Sequence, residues 1–332
     1  MNLEERVEIM IKLGNYLSEN ENNRLDEIKV HAFEKNKWFT EEMINLALKN
    51  IASQYLSAGN LNNWVHHYHI DDNIVAKKVG IVMAGNIPLV GFHDFLCTFI
   101  SGHNSLIKLS DKDDILMKHI IEILSEWKPD IKEHIQILTM LKDCEAYIAT
   151  GSNNSSRYFE YYFGKYPSII RKNKTSIAIL TGKESEETLS LLADDVYAYF
   201  GLGCRNVTKI FIPEGYDFVP LLTIFKKYNY FSDHTKFRNN YDYNLSLLIM
   251  NNKFYMTNDT IILVESDNIF SPVSELHYSY YKDKEVLQSG LNTLDSIQCI
   301  VGEGYVPFGQ SQIPSLFDYA DGIDTMQFLL SI

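Results

Sequence analysis

The chain has 332 residues, with 30 basic against 43 acidic side chains and a formal net charge of −13, a length above what one hydrophobic core usually serves, so two domains are expected. The acidic balance disfavours a nucleic-acid partner, which needs a concentrated basic face to neutralise phosphates. No segment approaches the ~20 uninterrupted apolar residues that span a bilayer. The start Met1-Asn2-Leu3-Glu4-Glu5-Arg6 lacks the charged-then-apolar order of a secretory leader, and Cys97, Cys144, Cys204 and Cys299 have no metal-ligand spacing, so a cytoplasmic protein with unpaired thiols is expected.

Leu3 to Leu17 and Thr40 to Tyr55 carry apolar residues at helical spacing, with Asn20 to Asn23 as a polar break, and read as a helical cap. Trp64 to Ile70, the turn Asp71-Asp72-Asn73 and Ile74 to Ala76 read as a β-hairpin leading into a strand at Val79. His67 and His69 would share a face of that hairpin, but no cysteine or carboxylate completes a ligand set, so no metal is expected. Lys78 to Val90 then gives a buried strand and a Gly85-Asn86-Ile87-Pro88 turn, followed by an apolar helix, a glycine-bearing loop and a second short strand ending in Lys108. This is a βαβ unit, and ligands bind at the carboxyl ends of such strands. Asn86 offers an amide able to donate to an oxyanion, and Lys108 a cation able to reach a nucleotide ribose or phosphate.

Ile115 to Trp127 reads as a helix, and Cys144 to Thr150 as a short strand ending at Gly151-Ser152, another nucleotide-contact position. Tyr158, Phe159, Tyr161 and Tyr162, in the helix Asn153 to Gly164, are expected to pack. Arg171-Lys172-Asn173-Lys174, with Lys165 nearby, is the one basic cluster, either a solvated loop or a contact for CoA or nucleotide phosphates. Thr175 to Leu180 is a strand that begins the second domain. Glu187 to Phe200 places Leu189, Leu192, Val196 and Tyr199 at three- and four-residue spacings, and Val207 to Ile212 suits a buried strand. Between them Gly201-Leu202-Gly203-Cys204-Arg205-Asn206 presents a thiol among small residues, a candidate nucleophile, although free cysteine is among the most buried residue types. Gly201-Leu202-Gly203 is not a dinucleotide fingerprint, because GxGxxG is incomplete. Further strands are expected at Leu245 to Met250, Thr260 to Val264 and Ile297 to Val301, and helices at Val219 to Tyr228 and Lys284 to Leu291.

The Asn86-Ile87-Pro88 turn, Lys108, the strand end Ala149-Thr150-Gly151-Ser152 and the Gly203-Cys204 turn resemble the aldehyde dehydrogenase superfamily in order and rough spacing. Gly203 to Lys209, with the tail Pro307 to Gln312 and Asp318 to Gly322, is similar to its acyl-CoA reductase branch, which includes the fatty acyl reductase subunit of bacterial bioluminescence. The resemblance runs from about Lys78 onward and is weakest in the N-terminal helices and in Phe231 to Asp259. It implies an α/β protein with two Rossmann-type domains and an interdomain active-site cleft. The expected boundaries are 1–174 for the N-terminal helices and nucleotide-binding domain, 175–305 for the thiol domain and 306–332 for a tail returning to the cofactor domain.

In that reading Cys204 attacks an acyl-CoA to form an acyl-enzyme thioester, CoA leaves, and hydride from NADPH, or NADH, gives an aldehyde. Asn86 and the Cys204 N–H would hold the oxyanion. The resemblance puts Lys108, Gly151 and Ser152 in the cofactor cleft and makes Glu275 the candidate for a carboxylate on the cofactor ribose. Aligning Lys174 with the lysine of the family's Glu-Leu-Gly-Gly-Lys motif puts Ile170 where aldehyde-oxidising members carry a water-activating glutamate, so reduction is the expected direction. The acyl group would come from acyl-CoA or an acyl-protein, with an acyl-transferase or acyl-protein synthetase as a candidate partner, and a homo-oligomer is compatible with the chain. Two alternatives stay open: a thioesterase or cysteine peptidase with His234 or His277 activating Cys204, and a non-redox acyl-carrying subunit.

Overall fold

The computed structural model describes residues 1–19, 23–291 and 294–332, which form two compact units, 1–173 with 314–332 and 174–313. The first unit opens with α1 (Leu3–Ser18), whose Asn2 and Glu5 make a reciprocal capping box and whose Val7, Met10, Leu13 and Leu17 face the core. After it come α2 (Asn23–Lys35), α3 (Glu41–Asn50) running into a π-helical turn at Ile51–Tyr55, and α4 (Ala58–His67). Helix α2 begins in the expected polar break, of which residues 20–22 lie outside the described residues.

Helix α4 corrects the expected hairpin. Ser57 caps it by accepting the Asn60 N–H, and Leu61 and Trp64, one turn apart, are fully buried. Because the apolar residues there are few, alternation and helical spacing are hard to tell apart, and burial of the large indole decides for the helix. His67 lies in the last helical turn and His69 just beyond it at φ 49°, so they share no strand face.

Five parallel strands follow, β1 (Lys78–Val82), β2 (Asn104–Lys108), β3 (Ile135–Ile137), β4 (Ala146–Thr150) and β5 (Ser168–Arg171), in the order β3-β2-β1-β4-β5. Helix α5 (Phe92–Ile100) joins β1 to β2, α6 (Ile115–Trp127) and the one-turn α7 (Ile131–His134) join β2 to β3, and α8 (Asn153–Phe163) joins β4 to β5. The chain builds outward from β1 in one direction, then returns and builds outward in the other. The strand order therefore reverses between β1 and β4, the place where dinucleotides bind in open α/β sheets.

The second unit carries β6 (Thr175–Ile179), α9 (Glu186–Tyr197), β7 (Val207–Pro213), α10 (Phe218–Phe225), α11 (Thr235–Met250), β8 (Met256–Thr257), β9 (Ile262–Glu265), β10 (Glu275–Tyr281), α12 (Lys284–Leu291) and β11 (Ile297–Gly302). Its sheet order is β11-β6-β7-β10-β9-β8, parallel throughout except for the β8–β9 pair. The strand expected at Leu245 to Met250 is instead the end of α11. Phe237, Tyr241, Asn244 and Leu248 are buried at steps of four, three and four, while Leu247, Ile249 and Met250, which make the segment look like a strand, are exposed.

From Pro314 the chain rejoins the first unit and ends in α13 (Thr325–Leu330). The tail docks through buried polar contacts. Trp64 donates to the Tyr319 hydroxyl at 2.9 Å, Arg171 ion-pairs with Asp94 and donates to Thr325 at 2.8 Å, and the His103 ring meets the Leu329 carbonyl at 2.9 Å.

Candidate functional site

On the first unit, the sequence-predicted residues gather at the carboxyl edge of the sheet. Val82 pairs with Lys108 on one side and Ala149 on the other, so the segments leaving β1, β2 and β4 emerge side by side. The turn after β1 is tightly built. A Cβ on Gly85 would lie 2.6 Å from Ser110 Oγ, and Leu89 sits at φ 56°, its N–H donating at 2.7 Å to the buried Asp113 carboxylate. Burial raises the Asp113 pKa to about 7, with the Leu89 N–H opposing. Pro88 and Leu89 are buried while Asn86, at the crest, is exposed.

Lys108 is also exposed, and its carbonyl accepts the Met83 N–H at 3.0 Å. Ser152 caps α8 by accepting the Ser155 N–H, and a Cβ on Gly151 would lie 2.8 Å from the Phe159 ring, so only glycine fits. A cation and a helix N-terminus thus flank the reversal point, an arrangement suited to the phosphates and ribose of a dinucleotide.

Two expectations about nearby side chains are corrected. Arg171, expected in a solvated loop or on a phosphate, instead ends β5 as a buried partner of Asp94, and Lys172 pairs with Glu160 at 2.9 Å. Of the α8 aromatics, Phe159 stacks on Phe163, which lies face to face with Tyr147 at 4.1 Å, but Tyr158, Tyr161 and Tyr162 are exposed, because only one face of α8 meets the sheet.

On the second unit, α9 gives way to a turn in which Tyr199, Phe200 and Gly201 have φ of 52°, 56° and 75°. Two consecutive bulky residues in the left-handed region are strained and persist only where packing over-determines them. Here the Phe200 ring lies 4.4 Å from Phe231 and 4.6 Å from His234. The strained turn leads directly to Cys204.

Asn206, fully buried, holds the loop. Its Nδ2 faces the carbonyls of Asp195, Val196 and Ala198, the last at 2.7 Å, and its Oδ1 accepts the Gly203 N–H at 2.8 Å. The Asp195 carboxylate accepts the N–H groups of Gly309 and Ser311 at 2.7 and 3.0 Å, so the tail segment around Phe308 is fastened to the same stretch of α9. Cys204 and Cys299 are half-buried while Cys97 and Cys144 are buried, and burial pushes the thiols of Cys97, Cys144 and Cys299 up.

Glu275 opens β10, its side chain nearly enclosed and 3.5 Å from His277 Nε2, while His277 Nδ1 meets the Asn268 carbonyl at 2.9 Å. His234 caps α11, its Nδ1 accepting the Phe237 N–H at 3.2 Å. Both histidines offered as thiol activators thus have structural tasks. A crevice of about 20 Å³ lined by Phe200, Gly201, Thr208, Ser271 and Glu275 has room for a water and no more. A cavity of about 680 Å³, lined by Ile179, Lys183, Tyr305 and Phe308, opens at the carboxyl ends of β6 and β11, the opposite end of β6 from the residue that contacts Cys204. Among the described residues no group of three His, Cys, Asp or Glu side chains could hold a metal ion.

Sequence reasoning singled out Cys204 and the β1, β2 and β4 strand ends as candidates but gave no role to Asn206, Asp195, Asp113 or Ser176. Asn206 lies in the quoted motif and Asp195 in the quoted helix, yet a buried polar anchor has no spacing signature of its own. Ser176, one hydroxyl in a buried strand, carries no sequence signal.

The fold is that of aldehyde dehydrogenases. An oxidoreductase from Marinobacter aquaeolei is 12% identical with a TM-score of 0.65, over 88% of this chain and 72% of that one. Aldehyde dehydrogenase 21 from Physcomitrella patens, solved with its reaction product succinate, is 13% identical with a TM-score of 0.65, over 91% and 74%. An aldehyde dehydrogenase from Bacillus cereus is 11% identical with a TM-score of 0.66, over 91% and 72%. No protein-family model matches the chain, and no curated protein matches its sequence.

Proposed function

We propose that this protein reduces an acyl-CoA, or an acyl thioester delivered by a partner protein, to the aldehyde with NADPH or NADH, through an acyl-enzyme on Cys204. The observation that carries the reading is the half-buried thiol on a strained, anchored turn of the second unit, whereas Cys97 and Cys144 of the first unit are buried. A thiolate attacks a thioester carbonyl, the carbon–sulfur bond to CoA breaks, and the CoA thiolate leaves with the proton the nucleophile released. The acyl-enzyme has about the energy of the substrate thioester, so transfer alone is nearly neutral.

The bound nicotinamide supplies the hydride that reduces the acyl-enzyme. This chain's own residues do the rest. The exposed Asn86 amide of the first unit and the Cys204 N–H of the second are each a donor of the kind an oxyanion needs, worth ~3–4 kcal/mol when one is removed. Lys108, Gly151 and Ser152 hold the nucleotide beside the strand-order reversal of the first unit, and Glu275 of the second is the candidate for a ribose contact by resemblance alone. By the resemblance Ile170, half-buried on β5 beside Ala149, stands in place of the water-activating glutamate, which favours reduction of the acyl-enzyme over its hydrolysis.

NAD-dependent aldehyde dehydrogenases of this fold, such as that from Sinorhizobium meliloti, support a nicotinamide cofactor. The commitments of His234 and His277 speak against a histidine-activated hydrolase. Supplying acyl-CoA with and without NADPH tests the reading. Aldehyde should form only with reductant, and rapid release of free acid without it would overturn the proposal.

A further inference from the structure

We propose that Ser176 and Cys299 act as a positioning pair that fixes the peptide of Cys204 for attack, an inference that rests on the acyl-enzyme reading above. Ser176 is fully buried on β6, and its Oγ has three neighbours: the Cys204 carbonyl oxygen at 3.0 Å, the Cys299 Sγ at 3.0 Å and the Cys299 backbone N–H, whose nitrogen is at 3.2 Å. A hydroxyl has one proton and two lone pairs. The Cys204 carbonyl can only accept, so it takes the proton. The Cys299 N–H can only donate, so it takes one lone pair. The remaining lone pair suits a sulfur that donates, which makes Cys299 a protonated thiol and not a second nucleophile. Burial, which pushes that thiol up, agrees with the assignment.

The consequence concerns the charge next to the attacking sulfur. A free carbonyl at Cys204 would bring the negative end of a dipole towards the site where an oxyanion develops, whereas a carbonyl committed to a buried hydroxyl cannot swing there. Ser176 grips the loop a second time, its N–H donating to the Asn206 carbonyl at 3.1 Å. Removing the S–H of Cys299 takes away one of the three partners of the Ser176 hydroxyl, so the Cys204 carbonyl bound to it is held less tightly. Of two half-buried thiols, one is presented and the other serves as its support.

The test compares wild type, Ser176→Ala, Cys299→Ala and Cys299→Ser by mass spectrometry. Two rates are followed at Cys204, acylation by a saturated acyl-CoA and alkylation by iodoacetamide. Cys299→Ala and Ser176→Ala should slow acylation about 10–100-fold at saturating acyl-CoA, with the half-saturating concentration little changed. Alkylation by the small reagent should rise a few-fold, since a loosened turn exposes the sulfur further. Cys299→Ser, which keeps an O–H donor, should restore acylation to within a few-fold of wild type. Should Ser176→Ala fail to fold, the two Cys299 variants carry the test. Wild-type acylation in Cys299→Ala, or no rescue by Cys299→Ser, would overturn the pair. No acylation of Cys204 in the wild type, with Cys299→Ala still altering alkylation and Cys299→Ser restoring it, would overturn the acyl-enzyme function and leave the positioning pair standing.

Discussion

Asn206 Oδ1 accepts the Gly203 N–H at 2.8 Å, closing a bridge across Cys204 and Arg205 from inside the protein. The same carboxamide faces three carbonyls at the end of α9, so one buried side chain joins the helix, the left-handed turn and the thiol loop. Asn206→Ala should leave a buried N–H and several carbonyls without their partner. A loss of about 2–4 kcal/mol is expected by denaturant unfolding, because each buried group left unsatisfied costs roughly 1–3 kcal/mol. A loss below about 0.5 kcal/mol would show that water or relaxation replaces these contacts.

Asp113 makes stability depend on pH in a stated direction. Burial raises its folded pKa to about 7, well above the ordinary carboxylate range, so the native state binds a proton that the unfolded state has released between about pH 4 and 7. Its favourable contribution is therefore full below about pH 4 and is lost as pH rises through 7. Asp113→Asn, which retains an oxygen for the Leu89 N–H, should flatten that decline in unfolding free energy. Parallel pH profiles for the two proteins would contradict the assignment.

Lys108 ends β2, one strand from the strand-order reversal, as an exposed cation, so its removal should affect binding and not folding. Lys108→Met is expected to weaken NADPH binding about 10–100-fold by isothermal titration, the range for losing a hydrogen bond to a charged group, with the melting temperature unchanged. Unaltered binding would place the cofactor elsewhere.

Ile170→Glu installs a carboxylate where this chain has an alkyl group. The acyl-enzyme on Cys204 should then hydrolyse faster and release free acid, and general-base assistance is typically worth ~10²–10⁴-fold. The measurement is the decay of acylated protein without reductant. A wild-type acyl-enzyme that already decays within seconds would mean that another residue supplies the base.

What was legible in the sequence tracked pattern length and punctuation. Lys78 to Lys108 showed its strand, turn, helix and strand because a short apolar run, Gly-Asn-Ile-Pro and a long apolar helix follow one another without ambiguity. Lys284 to Leu291 and Val207 to Ile212 were readable for the same reason. Trp64 to Ile70 and Leu245 to Met250 misled because each is the last stretch of a helix whose start lies upstream, at Ser57 and His234, where the caps are. At the site, Cys204 stood out through its glycines, but the residues that hold it, Asn206, Ser176 and Asp195, act through contacts with segments distant in sequence. Such contacts leave no local trace. The exposed tyrosines of α8 show the converse, since composition identifies an aromatic helix without telling which face meets the sheet.

The central claim is that Cys204 carries the substrate. Incubating the protein with a saturated acyl-CoA in the absence of NADPH, then digesting it and mapping the acyl mass, tests this most directly. One adduct on Cys204 is predicted, absent in Cys204→Ser and discharged as aldehyde when NADPH is added. Labelling at Cys97, Cys144 or Cys299 instead, or turnover in Cys204→Ser at the wild-type rate, would contradict the account.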